Sequence, residues 1–351
     1  MKCKNFFCMA LWLSPASETT KHALLQRLAA TSVLMLTLCC LASQVAAVPH
    51  GQIAYAVNGF DENMGRFDWN LYRTTLKGTN ESTAVALNHK GMYPAWGPGG
   101  KLLYFVQWDA GTADVYSINP GNPKNKKRIT QISGTYRFLT VSPNGQKLAF
   151  NGWTMQQVPQ ENQIWVLDVS TGEMATVTEV PHFGWPYSFW GISWSPNGKQ
   201  LAFSLSRPGW LEQLYLLDVE TKEIEILTEL NKDFYPVWAP DGQRILFLRW
   251  NREFDTFCTI DVETKVIEPL FDVDKATGYW GAWAPDGEFI AYSRWGTIYV
   301  YDPVTAETEE LVEVDGSIFV LAWLREEAFP VKPRQKLVTT WSQIKSYSVQ
   351  N

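Results

Sequence analysis

The sequence predicts an all-β protein, a six-bladed β-propeller with four antiparallel strands per blade, its ring closed by pairing of the N- and C-terminal strands. Three observations carry this. A tight-turn sequence recurs at Gly97-Pro98-Gly99-Gly100, Ser142-Pro143-Asn144-Gly145, Ser195-Pro196-Asn197-Gly198, Ala239-Pro240-Asp241-Gly242 and Ala284-Pro285-Asp286-Gly287, its prolines 45, 53, 44 and 45 residues apart. A period of about 40–50 residues marks an array or a propeller. The apolar runs after these turns are nearly continuous, so they must be covered on both faces, as radially stacked blades are. Beyond the first 47 residues the sequence also opens on a second-strand pattern, and its missing first strand stands near the far end, at 319–324.

The first 47 residues read as an export leader. Lys21 and Arg27 precede an apolar run over residues 28–47, and Val45-Ala46-Ala47 places small residues where a signal peptidase cuts, after Ala47. The alternatives are a start at Met9 and an uncleaved anchor, since the run is long enough to span a bilayer. Cys39 and Cys40 make a poor lipoprotein site because Leu38 precedes Cys39. The domains expected are therefore a leader or anchor over 1–47, a propeller over 48–325 and a tail over 326–351. The protein is expected in the periplasm or secreted.

Each period holds four short strands. In the unit from Tyr235, residues 236–239 form the first strand and Pro240-Asp241-Gly242 turns the chain. Proline presets φ there, and glycine accepts a positive φ. Residues 244–249, 256–261 and 266–270 follow as second, third and fourth strands. Third strands recur at 69–74, 114–118, 163–168, 213–218, 256–261 and 297–302, which gives six blades. Gln52-Ile53-Ala54-Tyr55-Ala56-Val57 is a second strand. Its partner is Phe319-Val320-Leu321-Ala322-Trp323-Leu324, which matches the first strands that carry Trp96, Trp194, Trp238 and Trp283. Sharing one blade between the termini leaves no open edge.

Tyr-Pro-x-Trp-x-Pro-x-Gly at Tyr93 and Tyr235 precedes an apolar strand and then Leu-Tyr-Leu-Leu-Asp or Ile-Tyr-Val-Tyr-Asp. This pattern resembles the WD40-like (PD40) repeat of the TolB-type propeller over residues 50–324. The resemblance implies the six-bladed ring. TolB's preceding α/β domain is expected to have no counterpart here. Related repeats form the propeller of prolyl-oligopeptidase-type peptidases, but no Gly-x-Ser-x-Gly nucleophile turn is present.

Composition narrows function. The chain has 36 acidic and 30 basic residues, and loss of the leader removes mainly basic ones, so a nucleic-acid partner is not expected. Cys258 alone remains after the leader, in a strand pattern that reads as a small buried filler. His50, His89 and His182 lack ligand spacing, and the acidic loop over 61–68 does not match an EF-hand, so no metal or cofactor is expected. Asp168, Asp218, Asp261 and Asp302 end third strands as turn caps.

The face carrying the second-to-third loops and the inter-blade crossovers, here the top, is where the repeat is least uniform. Trp108, Trp153, Trp250 and Trp295 each follow a turn glycine by eight residues, while Ser206 takes that place in another blade with Trp210 beyond it. Two readings stand: fillers of the wedge between blades, or an aromatic platform for a ligand. The candidate ligand-binding residues are Trp185, Tyr187, Phe189, Trp190, Trp210, Arg249, Trp250, Tyr279, Trp280, Arg294 and Trp295. Residues 180–190, the longest crossover, account for the 53-residue interval. The function expected is a monomeric binding or scaffold module for an envelope protein, peptide or glycan, touching a membrane only through an uncleaved leader. The rival is a polysaccharide lyase or hydrolase using Arg249, Arg294, His182 and Asp255 at the channel mouth. The tail, with Leu337, Trp341 and Ile344 on one helical face, reads as a frayed end, a docked helix or a recognition tag.

Overall fold

The computed structural model describes residues 49–61, 66–77, 82, 84–156, 162–178, 189–207, 211–229, 231–274 and 280–324. The expected leader and tail lie outside them. The described residues form six four-stranded antiparallel sheets. The first blade contains β1 (His50–Asp61), β2 (Arg66–Lys77) and β3 (Val85–Lys90). The second is β4 (Met92–Trp96), β5 (Leu103–Asp109), β6 (Thr112–Asn119) and β7 (Asn122–Arg128). The third is β8 (Arg137–Val141), β9 (Lys147–Gly152), β10 (Gln163–Asp168) and β11 (Met174–Thr176). The fourth is β12 (Phe189–Trp194), β13 (Gln200–Arg207), β14 (Leu211–Asp218) and β15 (Ile224–Ile226). The fifth is β16 (Asp233–Trp238), β17 (Arg244–Trp250), β18 (Phe254–Asp261) and β19 (Ile267–Asp274). The sixth is β20 (Gly281–Trp283), β21 (Ile290–Arg294), β22 (Thr297–Asp302) and β23 (Glu307–Glu313).

The last strand, β24 (Ser317–Leu324), supplies the inner strand of the first blade, in the order β24-β1-β2-β3. It pairs antiparallel with β1 from Gln52 opposite Leu324 to Asn58 opposite Ser317. The ring therefore closes as the sequence predicts.

The second strands are buried on consecutive residues: Leu103 to Val106, Leu148 to Phe150 and Ile245 to Leu248 are all sealed from solvent. Their two faces pack against neighbouring blades. Trp283, Ile290 and Tyr292 of the sixth blade meet Leu246, Leu248 and Phe257 of the fifth. Trp238 and Phe247 of the fifth meet Ala202, Leu214 and Leu216 of the fourth. Leu103 and Phe105 of the second meet Ala54, Ala56 and Leu71 of the closing blade. Burying each large side chain contributes about 1.5–3 kcal/mol. A surface ion pair contributes about 0–1 kcal/mol, so the seams between blades hold the ring.

The recurring turn does more than reverse the chain. Its glycines take φ of 66° to 74° (Gly100, Gly145, Gly198, Gly242, Gly287), a region costly for other residues. Each faces the turn of the preceding blade. A Cβ would lie 2.8 Å from Pro98 at Gly145, 3.6 Å from Pro143 at Gly198, 3.9 Å from Pro196 at Gly242 and 3.8 Å from Pro240 at Gly287. At Gly100 the neighbour is the closing strand, and Leu324 stands where the proline would, its Cδ2 2.2 Å from such a Cβ. The turns thus interlock around one face, here the turn face. Asp168 Oδ1 accepts backbone hydrogen bonds from Ser170 and Thr171, and Asp218, Asp261 and Asp302 repeat this cap. Cys258 is buried, and burial pushes its thiol up to about 11.

Candidate functional site at the top face

The inner strands set the centre of the ring. In β4, β8, β12, β16 and β24 the pairing register shifts by a bulge. The residue at each bulge has a positive φ: Tyr93 (53°), Phe138 (52°), Gly191 (83°), Tyr235 (55°) and Val320 (49°). Positive φ is uncommon outside glycine and is an outlier for bulky or β-branched residues. Strain of about 1–3 kcal/mol per site persists only where the surroundings over-determine it. At Tyr93, Phe138 and Tyr235 the bulge residue itself turns an aromatic side chain toward the axis.

The result is an aromatic plug. Tyr93 contacts Phe138 at 4.9 Å between ring centroids, and Phe138 contacts Trp280 at 5.8 Å. Trp280 contacts Tyr235 at 4.1 Å and Phe319 at 5.8 Å. In the fourth blade a Cβ on Gly191 would sit 2.8 Å from Tyr235 Cα, so no side chain fits there. Trp190, one residue earlier, reaches in instead, 6.3 Å from Tyr235. Burial pushes the Tyr93 hydroxyl up to about 12 and raises that of Tyr235 as well. The indole Nε1 atoms of Trp190 and Trp280 are buried without a hydrogen-bond partner. Beneath the plug is a channel of about 320 Å³ lined by residues of all six inner strands, reaching Pro240 and Pro285 of the turns.

Around the plug the top face carries the exposed aromatic side chains of the described residues: Trp108, Trp250, Phe254 and Trp295. Each sits at a second-to-third strand hairpin. Trp250 is joined to the plug through Phe234, 4.3 Å away, which in turn lies 5.8 Å from Tyr235. The Arg137 guanidinium lies 5.9 Å from the Trp108 ring centroid. Trp295 is 56% exposed with φ 54°. Its carbonyl accepts from Ile318, and Gly296 packs on the carbonyls of Val314 and Gly316, which fixes the hairpin beneath the indole.

Trp295 is 56% exposed, Trp108 and Trp250 are each 38% exposed, and Trp153 is half-buried. The wedge is filled by the inner-strand tryptophans, including Trp238 and Trp283. Of the remaining candidates, Phe189 is buried against Phe203, Trp190 is half-buried, and Trp280 belongs to the plug. Arg249 makes a two-pronged ion pair with the fully buried Asp233, Nε to Oδ1 at 2.7 Å and Nη2 to Oδ2 at 2.9 Å. Arg294 pairs with Asp274 at the surface. Asp255 is buried at the start of β18. Trp185, Tyr187, Trp210, Tyr279 and His182 lie outside the described residues. Among the described residues no three His, Cys, Asp or Glu side chains gather as a metal site.

Two features were missed in the sequence. Phe138 and Phe319 complete the plug, and an available signal was an aromatic residue five positions before the turn proline at Tyr93, Phe138, Tyr235 and Trp280. Glu212 is a buried carboxylate beside the plug. Ser206 Oγ donates to its Oε1 at 2.8 Å, Oε2 has no partner, and burial raises its pKa. No sequence pattern marks it.

Comparison with known proteins agrees with the architecture. Residues 140–313 match the PD40 family, the TolB beta propeller domain. The structure is similar to TolB from Acinetobacter baumannii, with a TM-score of 0.64 and 18% identity over 78% of this chain and 66% of that one. It is also similar to a TolB candidate from Agrobacterium tumefaciens, with a TM-score of 0.56 and 15% identity over 80% of this chain and 99% of that one. At these identities the likeness is one of fold. A stretch of 106 residues is 32% identical to the uncharacterized peptidase YuxL of Bacillus subtilis (strain 168), 30% of this chain but only 16% of that protein. The six blades, their repeat and these likenesses make the chain a TolB-like six-bladed β-propeller.

Proposed function

We propose that this protein is an exported binding module, periplasmic or secreted, that holds a partner protein, peptide or glycan on the top face of its ring. The observation that carries the reading is the placement of the exposed aromatics. Trp108, Trp250, Phe254 and Trp295 come from three blades, and all sit at hairpins of one face. The other large exposed apolar side chains, apart from Met155, are aliphatic and lie elsewhere, as Ile224, Ile226, Val266 and Val304 do. Aromatic side chains give large contact area at low entropy cost and are enriched in binding hot spots.

The test is alanine substitution of Trp108, Trp250 and Trp295 together. Trp295 is 56% exposed and Trp108 and Trp250 are 38% exposed, so the ring should still fold, with some stability lost at Trp250, which packs on Phe234. Capture of the envelope partner, or glycan-array binding, should fall at least tenfold. Unchanged capture by a folded triple variant would refute the assignment.

A further inference from the structure

Glu212 is a buried carboxylate whose charge is poorly compensated. It stands near the start of β14 and is 4% exposed. Its cross-strand partner on β13 is Ser206, whose hydroxyl donates to Oε1 at 2.8 Å. Oε2 is buried and accepts from no described residue. An ionised carboxylate offers about four acceptor sites, so most of its capacity is unused.

The crossover from the fourth blade to the fifth runs against this side chain's backbone. Glu212 N donates to Asn231 O at 2.8 Å, and Glu212 and Lys232 form a parallel bridge. From the other side, Trp250 N donates to Lys232 O at 2.8 Å. The crossover is thus pinned between Glu212 and Trp250. It leads at once into Asp233, then into Phe234, on which Trp250 packs, and Tyr235 of the plug.

The charged and titratable groups of these elements give Glu212 little relief. Burial is the main influence and pushes its carboxyl up; the Ser206 hydrogen bond and Lys232 pull it down, and Asp233 pushes it up. Lys232 is exposed, so water and salt screen its ammonium. Arg249 is committed to Asp233 through both prongs of its guanidinium. The Tyr235 hydroxyl, raised mainly by its own burial, stays neutral. A neutral carboxyl is tolerated in such a place, whereas an ionised one needs water or a cation.

We propose that Glu212 is a proton-operated latch on this crossover: with the carboxyl neutral the crossover is seated and Trp250 is held, and with the carboxyl ionised the crossover opens to water and releases Trp250. The neutral form's contribution is complete below the unfolded value of about 4.3 and is lost as pH rises through the higher folded value. As a control on binding, the latch rests on the top-face reading, to which Trp250 belongs; as a structural device it does not.

The experiment is amide hydrogen exchange on the free full chain, without partner, from about pH 4 to about pH 8, corrected for the chemical exchange rate. The amides of Glu212 and Trp250 report the two crossover bonds. Thr135, whose amide donates to Trp153 O at another crossover, is the internal control. Protection at Glu212 and Trp250 should fall at least about tenfold across this range, with Thr135 unchanged. Glu212→Gln, a permanently neutral mimic, should abolish the fall. Ser206→Ala removes a hydrogen bond that favours the ionised form and should move the midpoint to higher pH. Wild-type protection that is flat with pH, a fall retained in E212Q, or a midpoint moved downward by S206A would each overturn the latch. None of these results depends on a partner, so they leave the top-face reading to its own test.

Discussion

Substituting Arg249 with methionine removes one half of a buried ion pair and leaves the other half where water cannot reach it. Asp233 is 0% exposed and its side chain is held by both guanidinium contacts, whereas the Arg249 side chain is 21% exposed. The two residues are direct cross-strand partners at the top of β16 and β17. Truncating one partner of a buried pair costs about 3–5 kcal/mol, because a desolvated charge is left uncompensated. Asp233→Asn should cost less, about 1–3 kcal/mol, because the arginine left behind retains access to water. The D233N/R249M double variant should recover part of the loss, with a coupling of about 1–3 kcal/mol. Urea unfolding followed by tryptophan fluorescence reads these differences; at about 3 kcal/mol per M, R249M should lower the midpoint by roughly 1–1.7 M. An R249M chain as stable as wild type but unable to bind its partner would refute this structural role and return Arg249 to the ligand site.

The interlocked turns predict a graded series. Gly242→Ala should cost about 1–2 kcal/mol for placing alanine at positive φ. Gly145→Ala should cost more, because its Cβ meets the rigid Pro98 ring at 2.8 Å rather than Pro196 at 3.9 Å. Equal unfolding midpoints for the two would contradict the packing. The turn aspartates predict an acid response. Hydrogen bonds from the turn hold the carboxyls of Asp168, Asp218 and Asp261 below the usual range. Their contribution is therefore present above the unfolded value of about 3.9 and is lost as pH falls through the lower folded values. Asp218→Asn should flatten that part of the stability profile below pH 4, measured by urea titration at each pH. Burial of the Tyr93 hydroxyl works in the opposite direction. Its contribution is complete below the unfolded value of about 10 and is lost as pH rises toward about 12. Tyr93→Phe should flatten the alkaline end of the same profile.

The periodic features of this ring were legible because one sequence element set them. The turn proline counts the blades, and the tryptophan of Phe319-Val320-Leu321-Ala322-Trp323 identifies the displaced inner strand. The turn aspartates declared their role by position. The top face was only half legible. Strand alternation predicts which of two adjacent residues faces the axis, but the bulges break that parity, so Phe189 and Trp190 could not be told apart. Trp190 reaches the plug because Gly191 leaves no room beside Tyr235, a contact between blades that one repeat cannot encode. Arg249 read as a free cation because its partner, Asp233, lies 16 residues earlier and meets it only through the cross-strand register. The eight-residue offset of Trp108, Trp250 and Trp295 was visible, whereas their exposure depended on where the hairpins end.

The most direct test of the proposed site is a hydrogen-exchange footprint of the captured partner on the full chain. The account predicts protection at the top-face hairpins around Trp108, Trp250 to Phe254 and Trp295, with the turns at Gly145, Gly198 and Gly242 unaffected. Protection confined to those turns, with the hairpins exchanging as in the free protein, would contradict it.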